Sequence, residues 1–407
     1  MRVIRDQRAR WVAANVGPKW DWLSAAPLHA NGHCGVYRVH QLGAEDLQLT
    51  EPLCPNGPHE SEHTVTLSPR SLAGMTVHPL GVGCRPIGGR VTGSGSSARR
   101  SALQDDDARD GLQRAVKRGA TVFDTADIYG LGHSQRLVGQ ALAHDRDQVC
   151  ISTRVSFRGT AAHRYAPPHL RHQLEQTLEN LQTDYLDVVL LDDGFGPGDC
   201  FLADTAVTLK DLRTRQVIRA VGLSLPIESS AGDPAAGARM AHVLEAMEPD
   251  VLAVRYNGLS VAPTISGEDL FAYAARKQLP VLICEPLARG LLTGKYGAPP
   301  HSAPVLMPSG HQLSAEQLAA VHDGLEPLRR RFGADPAALA RVALRFCVGR
   351  HDQAVVLAGF STSDQLEQNY SMIDEPFSED DLAFVDDIYR RLRVRLADLS
   401  EAGGPVS

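Results

Sequence analysis

The sequence is poor in the features that mark metal sites and disulfide scaffolds. Its seven cysteines are odd in number, scattered through 407 residues, and never form a Cys-x-x-Cys pair. None of its sixteen histidines belongs to a His-Glu-x-x-His motif or a comparable metal-ligand spacing. We therefore expect reduced thiols in the cytoplasm, with neither a zinc site nor a disulfide framework.

Long apolar segments and an excess of positive charge are missing as well. No apolar run approaches the roughly 20 residues that cross a bilayer, and the first segment, MRVIRDQRARWVAANV, lacks the continuous apolar core of a secretory signal. The net charge of −7 gives no electrostatic reason to expect nucleic acid or an anionic membrane as a partner. With 43% hydrophobic and 22% charged residues, the composition is typical of a soluble globular protein.

Residues 1–64 do not share the pattern of the rest of the chain. They contain all three tryptophans, several prolines and glycines, and the polar cluster PNGPHESEH. We interpret them as an N-terminal extension, either partly ordered or added by a start codon placed too far upstream. A third interpretation is an arm that covers the mouth of the main domain or a partner subunit, because exposed tryptophan is costly unless it finds a surface.

Between residues 65 and 400, short apolar runs alternate with segments of helical periodicity. The segment VTLSPRSLAGMTVHPLGVG has two short β-type runs around a Ser/Gly turn, which predicts a hairpin. Counted from Val77, eight strands follow, each succeeded by a helix. Runs such as DVVLL are continuously apolar, as in parallel strands buried on both faces. The pattern predicts an α/β fold, an eight-stranded (β/α)8 TIM barrel with an N-terminal β-hairpin; a doubly wound sheet is the alternative.

One stretch, Thr121–Gln135 (TVFDTADIYGLGHSQ), places polar groups where such folds keep their chemistry. A short apolar strand ends in Asp124, Tyr129 follows five residues later, and a Gly-containing turn leads into an amphipathic helix. Strand ends that face a loop carry the active sites of barrel and doubly wound enzymes. The stretch resembles the FDTA-x-x-YG signature of aldo/keto reductases, and the resemblance extends over roughly residues 65–398.

The resemblance implies hydride transfer between a nicotinamide and a carbonyl carbon, with a tyrosine that gives or takes the proton of the oxygen. Asp124 and Tyr129 match two members of the family's catalytic tetrad. The family's lysine is replaced by Arg154 in the run ISTRV, which keeps the positive charge and is able to pair with Asp124 bidentately. The family's histidine is replaced by Asp192 at the end of YLDVVLLD, a residue that assists an oxyanion only if burial keeps it protonated. A family branch with an acidic residue at this position reduces conjugated C=C bonds.

The resemblance also implies a dinucleotide site. Ser224 matches a strand end that holds the nicotinamide amide, PLARGLLTGK (286–295) matches the segment that wraps the pyrophosphate, and GFSTSDQLEQN (359–369) matches the last phosphate-and-adenine loop. The expected cofactor-binding residues are Gly83, Ser224, Pro286, Leu287, Gly290, Leu292, Gly359, Ser361, Gln365, Gln368 and Asn369. Members that prefer NADPH carry Arg or Lys early in the last loop, whereas Phe360–Thr362 is neutral here. NADPH, NADH or no dinucleotide therefore all stay open.

Two further residues are predicted to lie near the site. Arg85 follows a strand end, where it either meets an anionic substrate group or forms a surface salt bridge. Cys284 precedes PLARGLLTGK and, with no histidine close in sequence, is expected to be a small buried hydrophobic residue.

Three functions are compatible with this sequence. The first is a nicotinamide-dependent oxidoreductase acting on a carbonyl or conjugated enone of a small molecule. The second is a cofactor-independent acid–base enzyme, a dehydratase or isomerase, that uses the same four polar residues. The third is a non-catalytic barrel that binds a ligand or a second copy of the chain, so a homo-oligomer is also open.

Overall fold

The computed structural model describes residues 67–89, 104–157, 159, 161, 163–192, 195, 200–225, 234–296, 313–375 and 377–402, together with three short strands nearer the N-terminus. The chain divides into two units, Met1–Glu62 and His63–Ser407. In the first unit, the described strands β1 (Trp22–Ser24), β2 (Val36–Gln41) and β3 (Leu47–Leu49) form an antiparallel sheet. The other residues interpreted as an extension or arm lie outside the described residues. Across the described residues, every helix is too short or too polar to cross a bilayer.

The second unit contains a closed barrel of eight parallel strands. Its strands and two small hairpins are, in chain order, β4 (Arg70–Leu72), β5 (Met75–Val77), β6 (Leu80–Gly83), β7 (Val122–Ala126), β8 (Cys150–Val155), β9 (Leu186–Asp192), β10 (Ile218–Leu225), β11 (Val251–Arg255), β12 (Thr264–Ile265), β13 (Glu268–Asp269), β14 (Val281–Cys284) and β15 (Ala354–Gly359). The barrel runs β6-β7-β8-β9-β10-β11-β14-β15 and closes from β15 back onto β6. The predicted TIM barrel is confirmed, and the doubly wound alternative is wrong.

Helices connect the barrel strands. The described helices are α1 (Arg85–Gly88), α2 (Asp105–Lys117), α3 (His133–Leu142), α4 (Pro167–Leu181), α5 (Leu202–Thr214), α6 (Pro234–Met247), α7 (Leu270–Lys277), a 3-10 helix (Ala288–Thr293), α8 (Ala315–Gly324), α9 (Glu326–Phe332), α10 (Pro336–Val348), α11 (Ser363–Ile373) and α12 (Glu379–Ala402). The segment between residues 315 and 332 forms two helices rather than one. Pro327 lies in the first turn of α9, and because proline has no N–H group it cannot continue the hydrogen bonding of α8.

The first barrel strand begins three residues later than expected. Val77 belongs to β5, which pairs with β4 in the predicted hairpin, whereas the barrel begins with β6 at Leu80. The hairpin side chains Leu72 and Val77 pack with the apolar side chains that fill the barrel interior, including Val122, Val188 and Leu282. The hairpin therefore closes the amino end of the barrel, and the carboxyl ends of the strands are left for the site.

A buried ion cluster ties the strands together at the amino end. The carboxylate of Asp187 on β9 is fully buried, and it pairs with Arg146 at 2.8 Å and with Arg219 at 2.7 Å. It also accepts a hydrogen bond of 2.9 Å from the backbone N–H of Ile151 on β8. Removal of one partner from such a cluster leaves buried charge uncompensated.

We predict that Asp187→Asn lowers the free energy of unfolding by about 3 kcal/mol. The control is Asp211→Asn, which removes a half-exposed partner of Arg171 and is expected to cost less than about 1 kcal/mol. Urea unfolding of both variants measures the difference. Equal losses in the two variants would show that the cluster does not stabilise the barrel.

Candidate active site at the barrel mouth

A cavity of about 1270 Å³ opens at the carboxyl ends of the barrel strands. Every one of the eight strands contributes to its wall, through Gly83, Asp124, Arg154, Asp192, Ser224, Arg255, Cys284 and Leu357. A second cavity of about 1180 Å³ lies at the opposite end, beside Asp184 and Arg219. The first cavity is lined by the four polar residues singled out from the sequence, Asp124, Tyr129, Arg154 and Asp192, and in a TIM barrel the chemistry lies at that end.

Arg154 reaches across the barrel interior. It is 8% exposed, and its Nη2 donates a 3.0 Å hydrogen bond to Sγ of Cys284. Strands β8 and β14 are four positions apart in the ring of eight, so this contact spans the barrel. The same Nη2 lies 3.6 Å from Oδ1 of Asp124, and Nε lies 3.8 Å from Oδ1 of Asp192. The bidentate pairing expected with Asp124 is wrong, because the guanidinium distributes its nitrogens among several partners.

The charges around Arg154 determine its protonation state. Burial lowers the pKa of Arg154, but the nearby groups of Asp124, Cys284 and Tyr129 outweigh burial and raise the pKa well above its ordinary value. Arg154 therefore stays a cation and cannot exchange a proton during a reaction.

Asp124 is held in place from the neighbouring strand. It is 4% exposed and accepts a 3.1 Å hydrogen bond from the hydroxyl of Ser152, its register partner on β8. Burial raises the pKa of Asp124, and the charge of Arg154 and the bond from Ser152 oppose this increase.

Tyr129 is positioned by close backbone contact with α1. A Cβ at Gly88 would approach the backbone carbon of Tyr129 to 2.7 Å, and a Cβ at Gly130 would approach the carbonyl oxygen of Gly88 to 1.8 Å. Only glycine fits at both positions. The phenol oxygen accepts a hydrogen bond of 3.5 Å from Nη1 of Arg154. Burial raises the pKa of Tyr129, and Arg154 partly offsets the increase, so the phenol is neutral at physiological pH.

Asp192 lies at the end of β9, beside Ser224 in the β9–β10 register. Its side chain is 29% exposed. The hydroxyl of Ser156 donates a hydrogen bond to its Oδ2, and the hydroxyl of Tyr165 donates a 2.8 Å bond to its backbone carbonyl.

The residues that support Asp192 were missed in the sequence. The buried carboxylate of Asp127 accepts hydrogen bonds from the backbone N–H groups of Ser156, at 3.0 Å, and Phe157, at 2.9 Å, and so fixes the loop that carries the Ser156 hydroxyl. Burial raises the pKa of Asp127, against the effect of these backbone bonds. Position in the sequence could have drawn attention to both residues, because Asp127 lies inside the FDTADIYG run and Ser156 follows a strand end. The hydrogen bond between them could not have been predicted, because it depends on the tertiary structure.

The structure brings nearly all of the predicted cofactor residues to this cavity. Its wall includes Gly83, Ser224, Pro286, Leu287, Gly290, Gly359, Ser361, Gln365, Gln368 and Asn369. Leu292 is fully buried in the core behind the wall and does not line the cavity. Gly83 on β6 is the register partner of Asp124 on β7 and of Gly359 on β15. Two glycines, which have no side chains, therefore lie between Asp124 and the loop that follows β15.

The segment 285–290 forms a strained part of the wall. Glu285, Ala288 and Arg289 all have left-handed backbone conformations, which cost non-glycine residues of order 1 kcal/mol each and concentrate at functional sites. Gly290 adopts φ +93°, and a Cβ there would approach Cε of Lys295 to 2.4 Å. The absence of a side chain at Gly290 leaves room for Lys295, which is one of the residues that line the cavity.

The N-terminal end of α11 lies beside the same cavity, which is lined there by Ser361 and Gln365. Thr362 caps the helix by accepting a 3.2 Å bond from the N–H of Gln365, and the Gln365 side chain accepts a 2.9 Å bond from the N–H of Ser361. An N-terminus with an ordered cap beside a large cavity, together with Lys295, is suited to phosphate groups. The residues present therefore fit a dinucleotide.

The chain matches the sequence profile of the Aldo/keto reductase family over residues 87–390. It belongs to the aldo/keto reductase family. The resemblance found in the FDTA-x-x-YG stretch is thereby confirmed.

Several relatives are similar to this aldo/keto reductase over most of their length. L-galactose dehydrogenase of Arabidopsis thaliana is 25% identical over 311 residues, which cover 74% of this chain and 86% of the relative. NADH-specific methylglyoxal reductase of Escherichia coli is 24% identical over 339 residues, or 77% and 95%. An aldo-keto reductase from Klebsiella pneumoniae, solved in complex with NADPH, shares the fold at a TM-score of 0.57 and 24% identity, over 80% of this chain and 95% of that one.

Two side chains near the mouth have structural roles in this aldo/keto reductase. Arg85 forms a 2.8 Å salt bridge to Glu285 with its side chain 57% exposed, so the predicted surface salt bridge is present, and Arg85 also lines the cavity. Cys284 is buried, as expected, but its sulfur is also an acceptor for Arg154. Burial raises the pKa of the Cys284 thiol to about 11, although Arg154 opposes the increase.

We predict that iodoacetamide labels Cys284 slowly near neutral pH, because the reactive species is the thiolate. Since its pKa is raised, labelling should increase by about tenfold per pH unit as the pH rises towards that pKa. Peptide mass spectrometry measures the rate of labelling. The exposed Cys200 shows that the reagent is active, and urea-unfolded protein shows how fast Cys284 reacts when it is accessible. Rapid labelling of Cys284 at neutral pH in the folded enzyme would contradict the prediction.

Proposed function

We propose that this aldo/keto reductase reduces a carbonyl group of a small molecule with a nicotinamide dinucleotide, using a rearranged catalytic site. The contact between the Tyr129 phenol oxygen and the Arg154 guanidinium, 3.5 Å apart at the cavity wall, carries the proposal. A proton donor and a fixed cation next to each other are what carbonyl reduction needs, because negative charge develops on the oxygen.

Tyr129 acts as the general acid. Its oxygen accepts a hydrogen bond from Arg154, which leaves the phenol proton available to the substrate oxygen. The Arg154 charge stabilises the phenolate that remains after transfer.

Arg154 combines two tasks. Its positive charge balances Asp124, 3.6 Å away, and its Nη1 lies 3.5 Å from the Tyr129 phenol oxygen, close enough to attract the oxyanion that develops beside that oxygen. Because Arg154 remains protonated, it cannot relay a proton, and Tyr129 has to be reprotonated from solvent through the open mouth.

A bound dinucleotide would supply the hydride. Ser224 would hold the nicotinamide amide near Asp192, Gly290 and Lys295 would face the pyrophosphate, and the rim formed by Ser361 and Gln365 would face the adenosine. We propose NADH as the preferred form, since Phe360–Thr362 offers no positive charge to a 2′-phosphate. A reductase named as NADH-specific among the relatives supports this choice.

We predict that Tyr129→Phe lowers the turnover number for carbonyl reduction at least about tenfold, the low end for a lost general acid. The dissociation constant for the dinucleotide should change little, because the hydroxyl is assigned to the substrate oxygen. Steady-state kinetics and calorimetry measure the two quantities, and unchanged turnover would remove Tyr129 from the mechanism.

The pH dependence of the reduction rate tests the role of Tyr129 independently. The active form of Tyr129 is protonated, and its pKa is raised above the ordinary value of 10.0. Reduction in the wild-type enzyme should therefore show no loss attributable to Tyr129 between neutral pH and about pH 10.

We predict that calorimetric titration gives tighter binding of NADH than of NADPH. Ser361→Arg should improve NADPH affinity by about tenfold through a charge-assisted contact, and the neutral control Ser361→Gln should not. Binding of neither dinucleotide up to millimolar concentration would favour the cofactor-independent acid–base alternative.

A further inference from the structure

Cys284 contacts Arg154 from the far side of the barrel. Arg154 is on β8, and Cys284 ends β14, which lies four positions away in the ring of eight strands. Nη2 of Arg154 donates a 3.0 Å hydrogen bond to the Cys284 sulfur and lies 3.6 Å from Oδ1 of Asp124. The guanidinium is therefore nearer to a thiol across the barrel than to the carboxylate on the strand beside it.

This arrangement is unexpected, because a carboxylate is a much stronger acceptor than a thiol. A hydrogen bond from a guanidinium to a carboxylate is typically about 2.7–2.9 Å long, so the pair of Arg154 and Asp124 is stretched. Asp124 accepts a 3.1 Å hydrogen bond from the hydroxyl of Ser152. A guanidinium without another anchor would be expected to close on Asp124.

The barrel fixes the position of the Cys284 sulfur. Cys284 pairs in register with Arg255 on β11 and with Leu357 on β15. Its carbonyl oxygen accepts a 3.0 Å hydrogen bond from the backbone N–H of Tyr256, and its side chain belongs to the apolar cluster inside the barrel. Since strands on both sides hold this acceptor in place, the longer and more adaptable side chain of Arg154 has to reach towards it.

We propose that Cys284 is a positioning residue of the site, whose sulfur holds the Arg154 guanidinium across the barrel and prevents it from closing on Asp124. In this place Nη1 of Arg154 lies 3.5 Å from the Tyr129 phenol oxygen. Closure on Asp124 would take the guanidinium off this contact and place a carboxylate directly against it. A sulfur suits the task because it is a weak acceptor, so it orients the guanidinium without neutralising its charge.

The effect of Cys284 on rate rests on the proposed carbonyl reduction. The Arg154 charge stabilises the phenolate that Tyr129 becomes when it gives its proton to the substrate oxygen. A guanidinium closed on Asp124 would stabilise this phenolate less, so kcat would fall. The KM for the carbonyl compound would change little, because the charge develops only during the reaction.

The test compares Cys284→Ala with Cys284→Ser. Both variants remove the sulfur, but only serine keeps an acceptor atom for Arg154. The probe is p-nitrobenzaldehyde, with NADH or NADPH at saturation, whichever binds more tightly. We expect Cys284→Ala to lower kcat about tenfold, as for the loss of a hydrogen bond to a charged group, with KM nearly unchanged. Cys284→Ser should keep most of the wild-type kcat.

Cys150→Ala is the matched control. Cys150 is a fully buried cysteine of the same apolar cluster. It begins β8 and so lies at the amino end of the barrel, away from the mouth. Its replacement removes the same atom from the barrel interior, so it should lower the urea midpoint of unfolding to a similar degree as Cys284→Ala and leave kcat unchanged.

Unfolding in urea tests the contact between Cys284 and Arg154 without any activity. The loss of stability from Cys284→Ala should be smaller in an Arg154→Lys background than in the wild type. A lysine ammonium reaches only as far as the central carbon of the guanidinium, so the sulfur has already lost its donor in that background. Losses from two sites that do not interact would add instead.

The outcomes separate this inference from the proposed function. An unchanged kcat in Cys284→Ala, or equal losses of kcat in the alanine and serine variants, would show that the sulfur only fills space and would overturn the inference. Additive losses of stability would overturn it as well. If the wild-type enzyme bound no dinucleotide and reduced no aldehyde, the proposed function would fail, while non-additive unfolding would still establish that Cys284 holds Arg154.

Discussion

The buried cation of Arg154 is the interaction on which the site depends. A guanidinium removed from water is stable only when charged and polar partners compensate the loss of hydration. Asp124, Asp192, Tyr129 and Cys284 supply that compensation from four different directions. One planar guanidinium is thus shared among all four groups.

The barrel makes this arrangement possible through its closed ring. Asp124 and Asp192 lie on the strands that flank Arg154, and Cys284 lies on the opposite side of the ring. An open sheet would place Cys284 far from Arg154. Backbone contacts position the groups around Arg154. The lack of a side chain at Gly88 allows the backbone of Tyr129 to pack against α1, and Asp127 fixes the loop that supports Asp192.

The two replacements that the resemblance implies, Arg154 for a lysine and Asp192 for a histidine, have related physical consequences. Arginine in place of lysine keeps the charge and adds directional N–H groups, so one side chain reaches both the phenol and the second carboxylate. Aspartate in place of histidine removes a hydrogen-bond donor and introduces an acceptor. In the proposed reduction, Arg154 supplies the hydrogen-bond donors that a carboxylate at Asp192 cannot.

The sequence by itself determined the architecture, because apolar β/α alternation allows few topologies and the strand ends of a parallel barrel all meet at one edge. It also singled out Asp124, Tyr129, Arg154 and Asp192, since each stands at a strand end or in a recognisable motif, and the structure places all four on the wall of one cavity. It could not determine how Arg154 divides its nitrogens, that Leu292 turns into the core, or that Ser156 and Tyr165 hold Asp192. Those features depend on side-chain directions and on contacts between residues far apart in the chain, and only the closed barrel fixes them.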